Sequence, residues 1–314
     1  MTLALLFPGQ GSQYVGMARA LAEAEPRAAD ILARANEILG FDLARLMREG
    51  PEAELTETKN AQPAILVHSV AALAVADGQL EAPAFAAGHS LGEFTAHVAA
   101  GTLSFEDALS AVRLRGELMF AAGQARPGAM AAVLGIGDAE LEAACAKVDR
   151  GICQPANFNA EGQIVISGDV AGIEQGTELA KAAGAKRVIP LKVSGAFHSA
   201  LMEPAAAPLR ERLEAIEFRD PRYPVVSNVT AQPVRTGREA RELLVKQLTS
   251  PVRWAESIAT MVAAGADRFV EVGPGKVLAT LNRRNAPGAE TSFLGEPGDF
   301  AAWADAAPRA TGGP

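Results

Sequence analysis

The sequence is poor in cysteine and in positive charge. Its 314 residues include two cysteines, Cys145 and Cys153, and neither belongs to a C-x-x-C or metal-ligand pattern. We therefore predict unpaired thiols in a reducing compartment. Lys and Arg number 29 against 37 Asp and Glu, which gives a formal net charge of -8. This balance opposes a general nucleic-acid or anionic-membrane function, because both rely on a large cationic surface.

Long apolar runs are also missing. The run that begins at Met1 lacks a basic region and stops at Pro8, so it is too short for a signal peptide. The apolar segment 64–76 is interrupted by His68 and Ser69 and is shorter than a membrane span. The sequence therefore predicts a cytoplasmic protein, and its 314 residues are enough to bury a complete active site.

Metal and nucleotide motifs are incomplete. H-E-x-x-H is absent and the four histidines are widely dispersed, so we predict no metal site. Gly9-x-Gly11 follows an apolar run, but Tyr14 stands where a dinucleotide-binding fingerprint has its third glycine. Gly273-Pro-Gly275-Lys276 lacks the spacing of a phosphate-binding loop. Nucleotide binding is therefore a weaker alternative.

Short apolar runs alternate with helical patterns along most of the chain. Residues 3–7 predict a buried strand, residues 8–13 a loop and residues 14–24 a helix. Further helices are predicted at 26–39, 61–76, 105–122, 201–215, 238–248 and 254–264, and further strands at 225–226 and 269–272. This order favours an α/β fold in which helices cover a parallel sheet.

Residues 127–194 show a different order of elements. The patterns predict a strand, a helix, a hairpin, a helix and a strand at 128–136, 139–148, 154–167, 171–183 and 187–193. This β-α-β-β-α-β order is the ferredoxin-like arrangement. We predict that the unit is an inserted α+β subdomain in a discontinuous core domain of residues 1–126 and 195–314, with a ligand cleft between the bodies. The tail 296–314, rich in Gly, Pro and Ala, is expected to be loosely attached.

The pentapeptide Gly88-His89-Ser90-Leu91-Gly92 is the most informative motif. In a G-x-S-x-G pattern the serine lies on a sharp turn between a strand and a helix, where glycine neighbours let the chain bend. The flanks agree, since 83–87 predicts a short strand and 93–100 a helix closed by Gly101. Ser90 is therefore the candidate nucleophile.

A serine nucleophile needs a base within hydrogen-bond reach, most often histidine. His68 lies in an apolar helix and is expected to be a packed residue, and His97 lies seven residues beyond the serine. His89 adjoins Ser90, but neighbours on an extended strand point to opposite faces. His198 remains, at an element boundary, and is the candidate base.

Two amides and one arginine complete the candidate site. The Leu91 N–H at the start of a helix is one oxyanion-hole donor, and Gln10, in the loop after the first strand, supplies the other. Arg113 and Arg115 lie on a helix with an apolar face, and one of them is expected to point inward. For either arginine alone, a surface ion pair is the simpler interpretation.

Five motifs together resemble the malonyl-CoA:acyl carrier protein transacylase family, in the stand-alone form of bacterial fatty acid synthesis. They are Phe7-Pro-Gly-Gln-Gly-Ser-Gln13, Gly88-His-Ser-Leu-Gly-Glu93, Arg115-Gly116 with Met119, Gly195-Ala-Phe-His-Ser199, and Gln247 with Pro251-Val252 and Trp254. The resemblance covers residues 3–294. It implies a hydrolase-like α/β body with an inserted ferredoxin-like subdomain, in agreement with the order of elements.

The resemblance also implies catalytic roles. Ser90 is the acylated nucleophile and His198 is its general base and acid. The amides of Gln10 and Leu91 form the oxyanion hole. A main-chain carbonyl near Gln247 orients the histidine, so that a dyad replaces the Ser-His-Asp triad.

Substrate selection follows from the same resemblance. Arg115 holds the free carboxylate of the malonyl group in a bidentate pair, and Met119 of the same motif is a substrate-binding residue. Phe197 fills space near the malonyl methylene, where methylmalonyl-selecting relatives carry serine. The resemblance therefore predicts malonyl over methylmalonyl.

The implied reaction is a ping-pong transfer through malonyl-Ser90 that needs no cofactor. The implied partners are malonyl-CoA, CoA and a transiently bound acyl carrier protein, with a monomeric enzyme and no nucleic acid or membrane. Carrier proteins are typically acidic, so Lys186-Arg187 and Arg283-Arg284 are candidate docking pairs. For either pair alone, solvated surface charge is the simpler interpretation.

Two other functions stay open. A serine esterase or thioesterase uses the same motif with water as the acceptor, although an α/β-hydrolase usually carries its histidine near the chain end and a long segment follows His198. A non-catalytic module that binds acyl-CoA or a carrier protein is the second. Formation of a covalent adduct excludes that module.

Overall fold

The computed structural model describes residues 1–193 and 195–306. Its strands form one sheet of six and one sheet of four. The strands are β1 (Leu3–Phe7), β2 (Phe85–Gly88), β3 (Gly128–Leu134), β4 (Cys153–Ala160), β5 (Gln163–Asp169), β6 (Arg187–Pro190), β7 (Val225–Val226), β8 (Pro233–Val234), β9 (Arg268–Val272) and β10 (Glu290–Leu294).

Helices surround both sheets. They are α1 (Arg19–Ala24), α2 (Pro26–Leu39), α3 (Leu43–Glu49), α4 (Glu52–Thr56), α5 (Thr58–Ala76), α6 (Gly92–Ala99), α7 (Phe105–Ala125), α8 (Asp138–Cys145), α9 (Val170–Ala182), α10 (Glu203–Glu214), α11 (Gly237–Lys246), α12 (Trp254–Ala263), α13 (Val277–Asn285) and α14 (Pro297–Ala306), with a 3-10 helix at Ala200–Met202. Over the residues described, none of these helices has the length and apolarity that crossing a bilayer requires.

The larger sheet has the strand order β10-β9-β1-β2-β7-β8, and its first five strands are parallel. β1 is buried on both faces: Leu5 and Phe7 face the core that includes α5, α6 and α7, and Ala4 and Leu6 face the core that includes α12 and α13. A strand with two buried faces reads as a continuous apolar run. The predicted α/β fold with a parallel sheet is confirmed.

The smaller sheet has the order β4-β5-β3-β6 and is antiparallel throughout. With α8 and α9 it has a core of its own, to which Val133, Leu141 and Ile164 belong. The predicted ferredoxin-like unit is therefore present. Ser194, at its predicted boundary, lies outside the described residues, and the division into 1–126 with 195–314 and 127–194 stays a prediction.

Backbone hydrogen bonds join the two sheets. The N–H of Phe158 in β4 donates to the carbonyl oxygen of Val252 at 2.9 Å, and the N–H of Val252 donates to that of Ala156 at 2.8 Å. Val252 thus pairs with β4 as a short parallel bridge. The smaller sheet is therefore held to the larger body by the segment that precedes α12.

The predicted helix at 14–24 is wrong in its first turns. Helix α1 begins at Arg19, because Gly16 and Ala18 have φ values of 101° and 59°, which no right-handed helix contains. The loop after β1 is therefore not followed directly by a helix N-terminus. This counts against the dinucleotide-binding alternative, which needs such a terminus for the pyrophosphate.

The expectation of a loosely attached tail is wrong for its described part. Phe300 of α14 is buried in the main core, and Trp303 packs at its edge with the Arg268 guanidinium 4.2 Å from its ring centroid. The Asp299 carboxylate accepts two backbone N–H groups at the start of the helix. Two aromatic side chains and one helix cap thus order a segment whose Gly-, Pro- and Ala-rich composition predicts loose attachment. Residues 307–314 of the predicted tail lie outside the described residues.

His97 gives the fold a predictable dependence on pH. It is buried in α6, and burial lowers its pKa from 6.5 to about 3. Between these two pH values the unfolded chain therefore binds a proton at His97 that the folded chain does not bind. The contribution of the neutral, buried His97 to stability is complete above pH 6.5 and is lost as the pH falls towards 3. We expect the free energy of unfolding of His97→Leu, relative to the wild type, to rise by about 2 kcal/mol between about pH 7 and pH 5 in urea titrations. A difference that stays constant over this range contradicts the prediction.

Candidate active site

Ser90 lies on the turn between β2 and α6 with a φ of 53°, in the left-handed region that serine rarely adopts. A Cβ atom on Gly88 would lie 1.9 Å from the Gly92 carbonyl, and one on Gly92 would lie 2.2 Å from the carbonyl oxygen of Phe7. The two glycines therefore permit a turn that passes close to itself and to β1. The turn has the geometry expected of a nucleophile elbow.

Asn228 holds this turn from the end of the neighbouring strand β7. Its Oδ1 accepts the Ser90 N–H at 2.7 Å, and its Nδ2 donates to the Gly88 carbonyl oxygen at 2.7 Å. The side chain is fully buried. Sequence reasoning missed it, although a polar residue that follows a buried strand at the carboxyl edge of the sheet was a usable signal.

Replacement of Asn228 tests whether this clamp sustains reactivity. In Asn228→Leu the Ser90 N–H and the Gly88 carbonyl lose their partner, so the strained turn relaxes and Oγ moves out of line. We expect the rate at which Ser90 reacts with an acylating reagent to fall about 10- to 100-fold. Asn282→Ala serves as the control, because it alters a fully buried asparagine of α13 whose side chain has no hydrogen-bond partner among the described residues. Equal losses in the two variants contradict the assignment.

Ser90 and His198 form a hydrogen-bonded pair. The Nε2 atom of His198 lies 2.8 Å from Ser90 Oγ, and its Nδ1 lies 2.9 Å from the carbonyl oxygen of Gln247. A carbonyl only accepts, so Nδ1 carries the hydrogen and Nε2 accepts the serine hydroxyl. His198 also has a left-handed φ, of 56°. The residue named from the sequence as near the orienting carbonyl, Gln247, itself supplies that carbonyl.

Burial governs the protonation of His198. Desolvation, reinforced by the positive charge of Arg115, lowers the pKa of its imidazole to about 3. The Gln247 carbonyl works against this shift by accepting the Nδ1 hydrogen. The imidazole is therefore neutral near pH 7, with Nε2 free to take a proton.

Arg115 is the arginine that points inward. It is 1% exposed, and its Nη2 donates to Ser90 Oγ at 3.1 Å and to Gln247 Oε1 at 2.9 Å. Its Nη1 donates to Oε1 of Gln62 at 2.7 Å, a partner that the sequence did not suggest because Gln62 lies on another helix, α5, 53 residues away along the chain. Arg113 is partly exposed and forms an ion pair with the side chain of Glu117.

A cavity of about 270 Å³ opens at Ser90. Its lining includes Gln10, Met119, Phe197 and His198. It brings together the predicted nucleophile, base, loop glutamine and apolar substrate-binding side chains, while Arg115 lies behind Ser90. A second cavity of about 570 Å³ shares Gln10, Gly11, His89, Asn157 and Leu191 with the first and extends to Lys276 and Arg284.

The two candidate oxyanion donors lie on neighbouring strand ends. Phe7 of β1 is in register with Gly88 of β2, so the loop with Gln10 and the turn with Leu91 start side by side. Over residues 1–193 and 195–306, neither the Gln10 N–H nor the Leu91 N–H donates to another protein atom. The Gln10 side chain donates to Thr58 Oγ1 at 3.2 Å. Both main-chain donors are therefore free to bind a ligand oxygen.

The other histidines have structural partners or none. His68 bonds to the Gly295 carbonyl oxygen at 2.9 Å, and His89 bonds to Asn159 Oδ1 at 2.8 Å. Both ring nitrogens of His97 are buried without a partner among the described residues. His198 is therefore the imidazole that meets Ser90. In the part of the chain that the structure describes, no three His, Cys, Asp or Glu side chains are grouped as metal ligands.

Comparison with known proteins agrees with this site. The acyl transferase domain family matches residues 4–291. A malonyl CoA-acyl carrier protein transacylase of Bacillus subtilis is 48% identical over 297 residues, which cover 94% of each chain. One of Escherichia coli is 44% identical over 301 residues, 95% of this chain and 97% of the other.

Solved structures give the same result. A malonyl-CoA:acyl carrier protein transacylase of Xanthomonas oryzae superposes with a TM-score of 0.93 at 42% identity and covers 98% of this chain and 99% of its own. A malonyl-transacylase in complex with its type II PKS acyl-carrier protein superposes with a TM-score of 0.93 at 40% identity, over 97% of this chain and 99% of the other.

Proposed function

The chain belongs to the acyl transferase domain family, and from that membership we propose that it transfers the malonyl group of malonyl-CoA to the phosphopantetheine thiol of an acyl carrier protein. The acyl group passes through an ester on Ser90. The curated relatives, at 44% and 48% identity over nearly the whole chain, carry this activity in their names.

One observation carries the proposal: two different groups meet at the Ser90 hydroxyl. His198 Nε2 lies 2.8 Å from Oγ and can take its proton, and Arg115 Nη2 donates to the same oxygen at 3.1 Å. The imidazole accounts for the activation of Ser90 as a nucleophile. The buried guanidinium beside Ser90 in addition favours an acyl substrate that carries an anionic group, because such a group would pair with the charge. The malonyl carboxylate is such a group.

The first half-reaction forms the acyl-enzyme. Ser90 Oγ attacks the thioester carbonyl as His198 Nε2 takes its proton, and the tetrahedral oxygen accepts the free N–H groups of Gln10 and Leu91. The C–S bond then breaks, and the CoA sulfur leaves with the proton from Nε2. The Gln247 carbonyl keeps the imidazole in the required tautomer and stabilises its charged form in place of a carboxylate.

The second half-reaction repeats these steps with a new thiol. The phosphopantetheine sulfhydryl gives its proton to His198 Nε2 and attacks the ester carbonyl of malonyl-Ser90. Collapse of the tetrahedral intermediate breaks the ester C–O bond, and Nε2 returns the proton to Oγ. One dyad therefore serves both directions, with no cofactor in the balance.

Acyl selection rests on the groups around Oγ. Arg115 pairs with the malonyl carboxylate, whereas an acetyl group leaves the guanidinium without that partner. Met119 and Phe197 line the same cavity with apolar surface, and Phe197 limits the space beside the malonyl methylene. We therefore propose that the enzyme prefers malonyl to both acetyl and methylmalonyl.

The phosphopantetheine arm of the carrier protein reaches Ser90 past the outer cavity, which shares five lining residues with the cavity at Ser90. Arg283 and Arg284 are exposed, and Arg284 lines the outer cavity, so this pair suits an acidic carrier protein near the entrance. Lys186 and Arg187 are also exposed, on the smaller sheet. We propose a monomeric enzyme that docks its carrier protein transiently, with the inserted subdomain 127–194 as one wall of the cleft.

Intact-mass analysis tests the function. The wild-type chain mixed with malonyl-CoA should gain one malonyl group, and addition of a phosphopantetheine-bearing acyl carrier protein should move that group to the carrier. Carrier protein without its phosphopantetheine arm is the control and should leave the adduct in place. Rapid loss of the adduct to water indicates an esterase, and no adduct indicates a binding module; either result overturns the proposal.

A further inference from the structure

A buried carboxylate lies behind the active site and has no part in the steps above. Glu93, in the first turn of α6, is 0% exposed. Its Oε2 accepts the Gln247 Nε2 at 2.6 Å and the Asn228 N–H at 3.2 Å. Both of these neighbours also hold the Ser90 turn. Asn228 Oδ1 accepts the Ser90 N–H, and Gln247 Nε2 donates to the Ser90 carbonyl oxygen at 3.0 Å. A buried carboxylate in such a place needs an explanation.

Gln247 links Glu93 to the guanidinium of Arg115. Its Oε1 accepts Arg115 Nη2 at 2.9 Å while its Nε2 faces Glu93, so the amide dipole is aligned between a cation and an anion. Over the described residues, no ion pair within 4.0 Å joins Glu93 or Arg115 to any other charged side chain. The charge of each group favours the ionised form of the other.

The protonation behaviour of both groups agrees with this pairing. Burial lowers the pKa of Arg115 to about 10, and the charge of Glu93 opposes that shift. Burial raises the pKa of Glu93 to about 7, opposed by the hydrogen bonds from Gln247, Asn228 and Ser227 and, less strongly, by the charge of Arg115. For each group, desolvation shifts the pKa more than the charge of the other group shifts it back. Loss of either charge would leave the other charge buried with no such compensation.

We propose, on the basis of the malonyl transfer proposed above, that Glu93 is a positioning residue which supplies the counter-charge of Arg115 through Gln247 whenever no malonyl carboxylate is bound. It keeps the guanidinium paired and aimed at Ser90 in the empty enzyme. It also sets how strongly the pocket favours a carboxylate-bearing acyl group, because a bound malonyl group must share Arg115 with it.

The empty site occurs once in each ping-pong cycle, between the departure of malonyl-carrier protein and the binding of the next malonyl-CoA. Without Glu93, the guanidinium would be a buried charge without a counter-charge at that stage and would hold the malonyl carboxylate more tightly. Repulsion between the two carboxylates weakens that hold. Glu93 thus favours release of the malonylated carrier at some expense of selectivity.

A stability cycle tests the pairing independently of catalysis. Glu93→Gln removes the charge and keeps one oxygen that can accept from Gln247 and Asn228, and Arg115→Met removes the partner. At about pH 8, where Glu93 is ionised, we expect the double variant to melt roughly 3 °C or more above the sum of the two single shifts. Additive shifts overturn the proposal. If Glu93→Gln alone fails to fold, a folded double variant supports the proposal and an unfolded one overturns it.

A competition experiment tests the effect on selection. Glu93→Gln and the wild type are each mixed with malonyl-CoA and acetyl-CoA, and the two adducts are counted by intact mass at about pH 8. We expect the malonyl:acetyl ratio to rise roughly three- to tenfold in Glu93→Gln. A merely structural role would lower both adducts together, and an unchanged or lower ratio overturns the proposal. Glu271→Gln is the matched control, because burial likewise raises the pKa of Glu271 to about 7 while its Oε2 caps α13 at Ala279.

The two proposals fail separately. If the melting shifts are coupled but the chain forms no malonyl adduct, the proposal of malonyl transfer is refuted and the pairing of Glu93 with Arg115 is supported. If the wild type forms a malonyl adduct but the melting shifts are additive, the role of Glu93 as counter-charge is refuted and the proposal of malonyl transfer is supported.

Discussion

The Ser90→Ala variant mixed with malonyl-CoA is expected to keep its unmodified mass, and its rate of malonyl transfer should fall by about 10⁴-fold or more. Among the described residues that line the cavity, no hydroxyl other than that of Ser90 has a paired imidazole to activate it, so we expect removal of one oxygen to end the acyl-enzyme pathway. The measurements are intact mass for the adduct and thioester formation on the carrier protein for the rate.

A buried serine elsewhere provides the control for this variant. Ser167 lies in the smaller sheet, and its hydroxyl has no hydrogen-bond partner among the described residues. Ser167→Ala should form the malonyl adduct at the wild-type rate. An adduct that persists in Ser90→Ala would refute the nucleophile assignment and direct attention to another side chain of the cavity.

Arg115→Ala is expected to lower kcat/KM for malonyl-CoA by about 10²- to 10³-fold while transfer from acetyl-CoA changes much less. The malonyl carboxylate loses its charge-assisted hydrogen bonds, whereas the acetyl group never formed them. The preference for malonyl over acetyl should therefore nearly vanish. Steady-state transfer from each acyl-CoA measures both values.

Arg113→Ala separates this effect from a general disturbance of α7. Arg113 is two residues away on the same helix, but its guanidinium contacts Glu117, Asn60 and the Lys59 carbonyl rather than Ser90. This variant should keep the wild-type malonyl:acetyl preference. An unchanged preference in Arg115→Ala, with the protein folded, would exclude the arginine as the carboxylate-binding group.

The sequence predicts the structure correctly where a conformation is determined by interactions between residues close together in the chain. The apolar run at 3–7 and the glycines around Ser90 each determine a conformation within a few residues, and the structure has strand β1 and the tight turn at those places. His198 was reached by eliminating the other histidines. The error at residues 14–18 arose because Ala18 adopts a left-handed φ of 59°, which no helix propensity indicates.

Residues that act across the fold were not predicted. Asn228 and Gln62 meet the site only after β7 and α5 have packed against β2 and α7, and their sequence neighbourhoods show no catalytic pattern. Glu93 was visible in the motif, but its role depends on Gln247, which is 154 residues away. Contacts of this kind are set by topology, so one sequence without its packing does not reveal them.

The short segment that joins the two sheets has a mechanical consequence. The carbonyl of Gln247 orients His198, and Val252, shortly after it, is hydrogen-bonded to β4 of the smaller sheet. A displacement of that sheet is therefore transmitted along this stretch of backbone to the imidazole. The segment between Gln247 and Val252 is held at one end by His198 and at the other by β4. An insertion in this segment would therefore make the orientation of the His198 imidazole independent of the position of the smaller sheet.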